Sequence, residues 1–493
     1  MTKQEAVIKY IEDNYLQFKR LRHDVISDKL QLRMEKPTPA PSLKGGENSA
    51  AHKSFPSGED LGEASVWREM TKHDINSIVC HCAQECDMNI TSREVMTALQ
   101  SDLIPDVHPL REYILSLPPF TPDQPDWIDW VAQQVHVRSG APDRPSGCRS
   151  AQVPVDGRSA APVDNAMLFS TASTTSDLQQ CDPQCSASET IYSEQRERSE
   201  ANAFWRVCFK KWFVAMVASW MRDDIVNHQV LVLIGKQGIY KTTWLEHLIP
   251  PHLRAYACKL ANSNDLNKDE RLRIAEFGLI SLDEIDSMNS RELNQLKSII
   301  TATDVNERAA YAYTKERRVR LASFCASGNR RDFLTDITGN RRWLPFEVES
   351  IQSPFTTILP YERMYAQAWA LAQDPFFSYW FDLDEIDVLE QHNQHFRDES
   401  NEEQLLPILF DVPAEGKGEF LTTAQISERL ITYGNIKKPM ALGRLGVLLS
   451  SMGYRSVTRG TRQSRVRGWI VYQRDTQEIA ANQKLIAKEC VTV

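Results

Sequence analysis

An α/β fold is predicted for the central part of this 493-residue chain, and three observations carry it. Between about residues 192 and 350, short apolar runs alternate with helix-periodic segments, the pattern of a largely parallel sheet covered by helices. The loop Gly235-Lys236-Gln237-Gly238-Ile239-Tyr240-Lys241-Thr242 stands between the β-branched run VLVLI and a helical segment, where a phosphate-binding loop has to stand. A second apolar run, FGLISLDE, ends in two carboxylates, Asp283 and Glu284. The full expectation is a P-loop NTPase core with a helical N-terminal region and a C-terminal winged-helix-like domain.

Composition sets the outer limits. Hydrophobic residues make up 42% of the chain and charged residues 25%, which excludes wholesale disorder and collagen-like repetition. The apolar stretch Phe213–Met221 falls short of the about 20 residues that a membrane-spanning helix needs. The opening MTKQEAVIKYIEDNY lacks the apolar core and cleavage site of a signal peptide, so a cytoplasmic protein without membrane contact is expected. The ten cysteines are mostly scattered, and no disulfide framework is expected. Cys80, His81, Cys82 and Cys86 cluster in a helix-periodic stretch, with Cys181 and Cys185 in a polar one; they read as incidental cysteines rather than as a zinc site.

Residues 1–138 read as an N-terminal region. It holds a short helix, EAVIKYIEDNY, a small hairpin within LQFKRLRHDVISDKLQLR, a turn-rich stretch over 36–62, and a helical pattern over 66–117. Residues 139–191 are low in complexity and cannot bury enough apolar surface to offset their ordering entropy, so a flexible linker is expected there. The core spans 192–350 and opens with the strongly apolar helix EANAFWRVCFKKWFVAMVASWM. A helical connector over 351–399, a basic module over 400–475 and a tail over 476–493 complete the chain. The basic module reads as two helices and then two strands around TRGTRQSRVRG, the order of a winged helix with Arg459, Arg462, Arg465 and Arg467 in its wing. Lys417–Arg474 holds eleven Lys and Arg residues on a chain of net charge −9, an asymmetry that points to nucleic acid; a solvated basic face is the plainer alternative.

The chemistry follows from residue types. Gly235 and Gly238 let backbone N–H groups turn toward phosphate oxygens, Lys241 would reach the β- and γ-phosphates of ATP, and Thr242 would hold Mg²⁺. Gln237, Ile239, Tyr240 and Thr243 complete the expected nucleotide-binding set. Tyr240 replaces the glycine that usually precedes the lysine, and a side chain there is expected to crowd the nucleotide. Asp283, 42 residues after Lys241, is placed to bind Mg²⁺, and Glu284 to polarise the attacking water. The apolar run VRLASFCASGN delivers Asn329, whose amide would hold that water. Beyond it, Arg341 and Arg342 are candidates for an arginine finger delivered across a subunit boundary; a surface or DNA-contacting pair is the alternative. Lys297, Arg308, Tyr311, Tyr313, Lys315, Arg317 and Arg318 interleave base with aromatic, as a loop that grips phosphates and stacks on bases would; a solvated hairpin is the alternative.

With GKQGIYKTT, LISLDE, LKSIIT, ASGN and TGNRRW in this order, the chain resembles the virulence-associated protein E family, ATPases related to superfamily 3 helicases of phages and mobile elements. The match covers about residues 200–350, and SDLIPDVHPLREYILSLPPF extends it back to about residue 66. The C-terminal region resembles one seen in Bacteroides-type members. The resemblance implies a AAA+-like core, a ring that is commonly hexameric, nucleotide bound between subunits, and replication of mobile DNA. It places Lys241 and Thr242 in Walker A, Asp283 and Glu284 in Walker B, and Asn329 as sensor 1. No primase signature is recognisable ahead of the core, so priming is expected from a separate protein.

The expected function is therefore an ATP-dependent helicase or translocase acting on single- or double-stranded DNA. Two alternatives stay open: a DNA-binding initiator that uses ATP as a structural switch, and an ATPase acting on something other than DNA, such as a phage-defence effector.

Overall fold

The computed structural model describes residues 2–34, 66–138, 187–260, 268–307, 316–334, 340–413, 418–461, 464–475 and 477–479. The N-terminal unit begins with α1 (Lys3–Ile11), followed by the predicted hairpin, β1 (Leu21–Asp24) and β2 (Lys29–Met34). The stretch expected to be helical from residue 66 opens instead as β3 (Val66–Glu69), which pairs with β2 before α2 (Lys72–Cys86) begins. The boundary is set by Thr71 and Asp74, which form a capping box, while Arg68 pairs with the same Asp74 carboxylate. After α3 (Ser92–Leu99), β4 (Asp106–Val107) joins β1 in parallel and completes the order β3-β2-β1-β4. On α2, Cys82 is buried and Cys80 exposed, and among the described residues no group of three or more His, Cys, Asp or Glu side chains is arranged to hold a metal ion. Cys181 and Cys185 lie outside the described residues.

Helices α4 (Pro109–Ser116) and α5 (Trp127–Ala132) lead into β5 (Val135–Val137). The long helix α6 (Ala187–Met221) then begins within the segment expected to be linker, and its early turns carry an Arg196–Glu200 pair at helix spacing.

The central sheet is built from β6 (Val230–Ile234), β7 (Ala257–Leu260), β8 (Leu279–Leu282), β11 (Ser323–Gly328) and β12 (Trp343–Ile351), all parallel, with β5 antiparallel on one edge. Its order is β5-β12-β6-β11-β8-β7. Between these strands come α7 (Lys241–His247), α8 (Lys268–Glu276), α9 (Ser290–Thr301) and a separate hairpin of β9 (Asp304–Glu307) and β10 (Glu316–Val319). Because strand side chains alternate, β6 feeds two cores. Leu231 and Leu233 pack with α6 on one face, and Val230, Val232 and Ile234 pack with Leu293 and Leu296 of α9 on the other. The indoles of α6 fill the first core and still find acceptors: Trp205 donates to the Ala132 carbonyl, Trp212 to Phe324 and Trp220 to Gly278.

Within residues 351–399, where a helical connector was expected, lie two helices, α10 (Tyr361–Gln373) and α11 (Leu383–Gln394). The C-terminal module adds α12 (Asn401–Leu409), β13 (Phe410–Asp411), β14 (Glu419–Leu421), α13 (Thr423–Gly434) and α14 (Leu442–Ser451), and closes with β15 (Arg455–Thr461) and β16 (Ser464–Gln473). It therefore has one helix and two short strands more than the sequence pattern suggested, around a core of its own that includes Leu430, Leu445, Leu448 and Trp469. Among the described residues no helix is long and apolar enough to cross a membrane.

Candidate functional site

The strand register builds the site. Ile234 aligns with Gly328 and Ala326 with Leu282, so the C-terminal ends of β6, β11 and β8 lie side by side and the residues after them converge. The crevice beyond the carboxyl ends of parallel strands is where ligands bind in such sheets.

Two glycines shape the loop after β6. A Cβ on Gly235 would stand 2.6 Å from the Val348 carbonyl oxygen, and Gly238 has φ +85°, a left-handed backbone. Tyr240 is left-handed too, at φ 67°, although it carries a side chain; this costs about 1–2 kcal/mol. The Tyr240 ring packs edge-on against Phe355, and the Lys241 ammonium enters the loop instead, donating to the Gly235 and Lys236 carbonyls at 2.7 Å. Gln237 is exposed, and Ile239 packs toward the first core.

Asp283 is the hub of the site. Its Oδ1 accepts from Ser327 Oγ at 2.6 Å and from Thr242 Oγ1 at 3.2 Å, while Lys259 Nζ lies 2.8 Å from Oδ2. Burial opposes ionisation, but hydrogen bonds from Lys259 and Ser327, the Lys259 charge and the Thr242 hydroxyl together hold the carboxyl below its usual value. A hydroxyl and an ionised carboxylate this close form a hard oxygen donor pair that suits Mg²⁺. Next to it, Glu284 is exposed, with φ 54° turning the chain sharply out of β8.

Asn329 stands across from the lysine: Lys241 Nζ donates to its Oδ1 at 3.3 Å. Burial lowers the Lys241 pKa, while the charges of Asp286 and Asp283 act the other way. Asp286 also accepts the backbone N–H groups of Asn329 and Arg330, and Arg331 pairs with Glu347 on β12. Sequence reasoning missed Lys259, Asp286, Arg330 and Arg331 as members of this site. Asp286, three residues after Asp283 in LDEID, had a signal; Lys259, on a different strand, had none.

The remaining expected residues lie elsewhere. Arg341 and Arg342 directly precede Trp343, which pairs with Val230 at the start of β6. They thus sit at the opposite end of the sheet from the loop, a strand length of about 13 Å away. Burial, then the neighbouring Arg341 charge, pushes the Arg342 guanidinium below its ordinary value. Lys297 is half-buried on α9. Arg317 pairs with Asp304 across the β9–β10 hairpin, and Arg318 lies near Asp28 and Glu276. Arg308, Tyr311, Tyr313 and Lys315 lie outside the described residues, as does Arg462. Arg459, Arg465 and Arg467 are exposed on β15 and β16, with Arg459 over the Phe420 ring and Arg467 over Trp469.

Residues 187–404 match the family model of the Virulence-associated protein E-like domain. This stretch is a virulence-associated protein E-like domain. The converging loop, carboxylates and amide all belong to the virulence-associated protein E-like domain, and the basic β15–β16 hairpin lies beyond it. Among solved structures, the apo NrS-1 C-terminal region (305–718) is similar at 9% identity and TM-score 0.41, covering 96% of this chain and 100% of that one. An A-form apo structure of the same region gives 9% identity and TM-score 0.39, covering 93% and 98%. No curated protein matches.

Proposed function

We propose that the chain is an ATP-dependent DNA motor, a helicase or translocase that serves replication of a phage, plasmid or integrated mobile element. The observation that carries this reading is the meeting of Thr242, Ser327 and Asp283 on one side and of Lys241 and Asn329 on the other, at the C-terminal ends of three parallel strands. The order of these segments and the strand inserted between β6 and β8 support a P-loop, AAA+-like core of the superfamily 3 kind.

In this reading the loop amides and Lys241 hold the β- and γ-phosphates. Thr242 and Asp283 would hold Mg²⁺, which when bound offsets charge on the phosphate oxygens. Glu284 takes a proton from the attacking water, and Asn329 orients that water against the γ-phosphate. Arg341 and Arg342 lie at the far end of the sheet from their own loop, which supports a role for them at the site of a neighbouring copy in a ring rather than within one chain. The helices α13 and α14 followed by the β15–β16 hairpin support a winged-helix reading of the C-terminal module, whose exposed arginines would contact DNA phosphates.

Two substitutions test the chemistry. Lys241→Ala is expected to abolish both nucleotide binding and turnover. Glu284→Gln is expected to keep binding while turnover falls about 10²–10⁴-fold, the usual contribution of a positioned base. Full turnover in either variant overturns the assignment.

A further inference from the structure

We propose that Phe355, together with Tyr240 and His247, forms a stacking platform for the base of the nucleotide whose phosphates the loop holds; this rests on the phosphate-loop reading above. Phe355 follows β12 and is 70% exposed, although its ring is held on two sides. Its centroid lies 6.1 Å from the Tyr240 ring at 81° and 5.7 Å from the His247 ring at 83°. Such edge-to-face contacts fix a ring without covering it.

The supports are themselves fixed. Tyr240 immediately precedes α7, and His247 ends it, two turns further along the same helix. His247 Nδ1 lies 2.7 Å from the Thr243 carbonyl, which sets the orientation of the imidazole. The chain after Phe355 is pinned to the same helix, because Tyr361 donates to the His247 carbonyl and Tyr365 to the Leu248 carbonyl. An exposed aromatic ring is thereby held rigidly beside a loop residue. The base of a nucleotide is joined through its ribose to the phosphates and must lie close to that loop. Every base has a π-face, so stacking selects for a base without reading which one it is. The left-handed backbone at Tyr240 gains a purpose in this arrangement: the phenol braces Phe355 where a glycine would leave it unsupported.

Calorimetric titration of the full chain with ADP and with inorganic tripolyphosphate tests the platform. Phe355→Ala is expected to weaken ADP about tenfold, the size of one lost base–aromatic stack, while tripolyphosphate stays within about twofold and Phe355→Trp restores ADP. Unchanged ADP affinity in Phe355→Ala overturns the proposal, as does equal weakening of both ligands, which would mean a damaged loop rather than a lost stack. Lys241→Ala is the separate control: if it binds both ligands as well as the parent chain, the phosphate-loop reading itself fails.

Discussion

The Asp286 carboxylate accepts the backbone N–H of Asn329 at 3.1 Å and that of Arg330 at 3.2 Å, so one short turn after β8 sets the position of the residue at the tip of β11. Asn329 in turn receives the Lys241 ammonium. In the proposed mechanism Asp286 would act through Asn329, as a positioning residue. Asp286→Ala is expected to lower kcat for ATP about tenfold to a hundredfold, the range found when the support behind a site ligand is removed, with a smaller change in KM. Steady-state kinetics checks this, and a rise in KM alone would assign Asp286 to nucleotide binding instead.

Lys259 lies 2.8 Å from Asp283 and 3.8 Å from Glu246, and Asp283 is the carboxylate proposed to hold Mg²⁺. Its ammonium would compete with that ion for the Asp283 carboxylate. Replacing Lys259 by Met is expected to lower the Mg²⁺ concentration that half-saturates binding of a fluorescent ATP analogue about two- to fivefold, the scale of a half-exposed ion pair. An increased Mg²⁺ requirement would show that Lys259 helps to hold the nucleotide.

His392 is enclosed by Phe204, Phe346 and Phe396, and Pro345 provides the carbonyl beside its Nε2. Burial lowers its pKa to about 4, against the opposing hydrogen bond to Pro345. An unfolded histidine titrates near 6.5, so the folded chain favours the neutral ring. This contribution is complete above pH 6.5 and is lost as pH falls toward 4, where the unfolded chain binds a proton that the folded one refuses. Stability is expected to fall by about 2–3 kcal/mol across that window from His392 alone. Urea denaturation at pH 7 and 4.5 measures the fall, and His392→Phe should flatten it.

Arg341 and Arg342 cannot reach the loop of their own chain across the length of β6, which makes a trans role directly testable. A chain carrying both Arg341→Ala and Arg342→Ala is expected to lose about 10³-fold or more in turnover, the scale of an arginine finger. Mixing it with Lys241→Ala chains should restore part of the activity, since mixed interfaces would pair an intact loop with intact arginines. No recovery on mixing would contradict delivery between subunits.

The sheet and its loop were legible because their signals are local. VLVLI followed by the glycine-bearing loop specifies a buried strand and a turn. Asp283 and Asn329 were found because each ends an apolar run, which in a parallel sheet brings them to one edge. The Lys259–Asp283 pair was not legible, since it depends on β7 lying beside β8 and no local pattern encodes that adjacency. Strand β3 was missed because Val66–Glu69 is too short for its alternation to stand out beside the helix that follows. The left-handed Tyr240 was visible only as a departure from the glycine rule, and where its ring goes is decided by Phe355, 115 residues further on.

A DNA-coupled ATPase is checked by steady-state ATP hydrolysis with and without single-stranded DNA. Hydrolysis is expected to rise severalfold with DNA and to vanish with and without DNA in Lys241→Ala. Hydrolysis indifferent to DNA, or none at all in the parent chain, would contradict it.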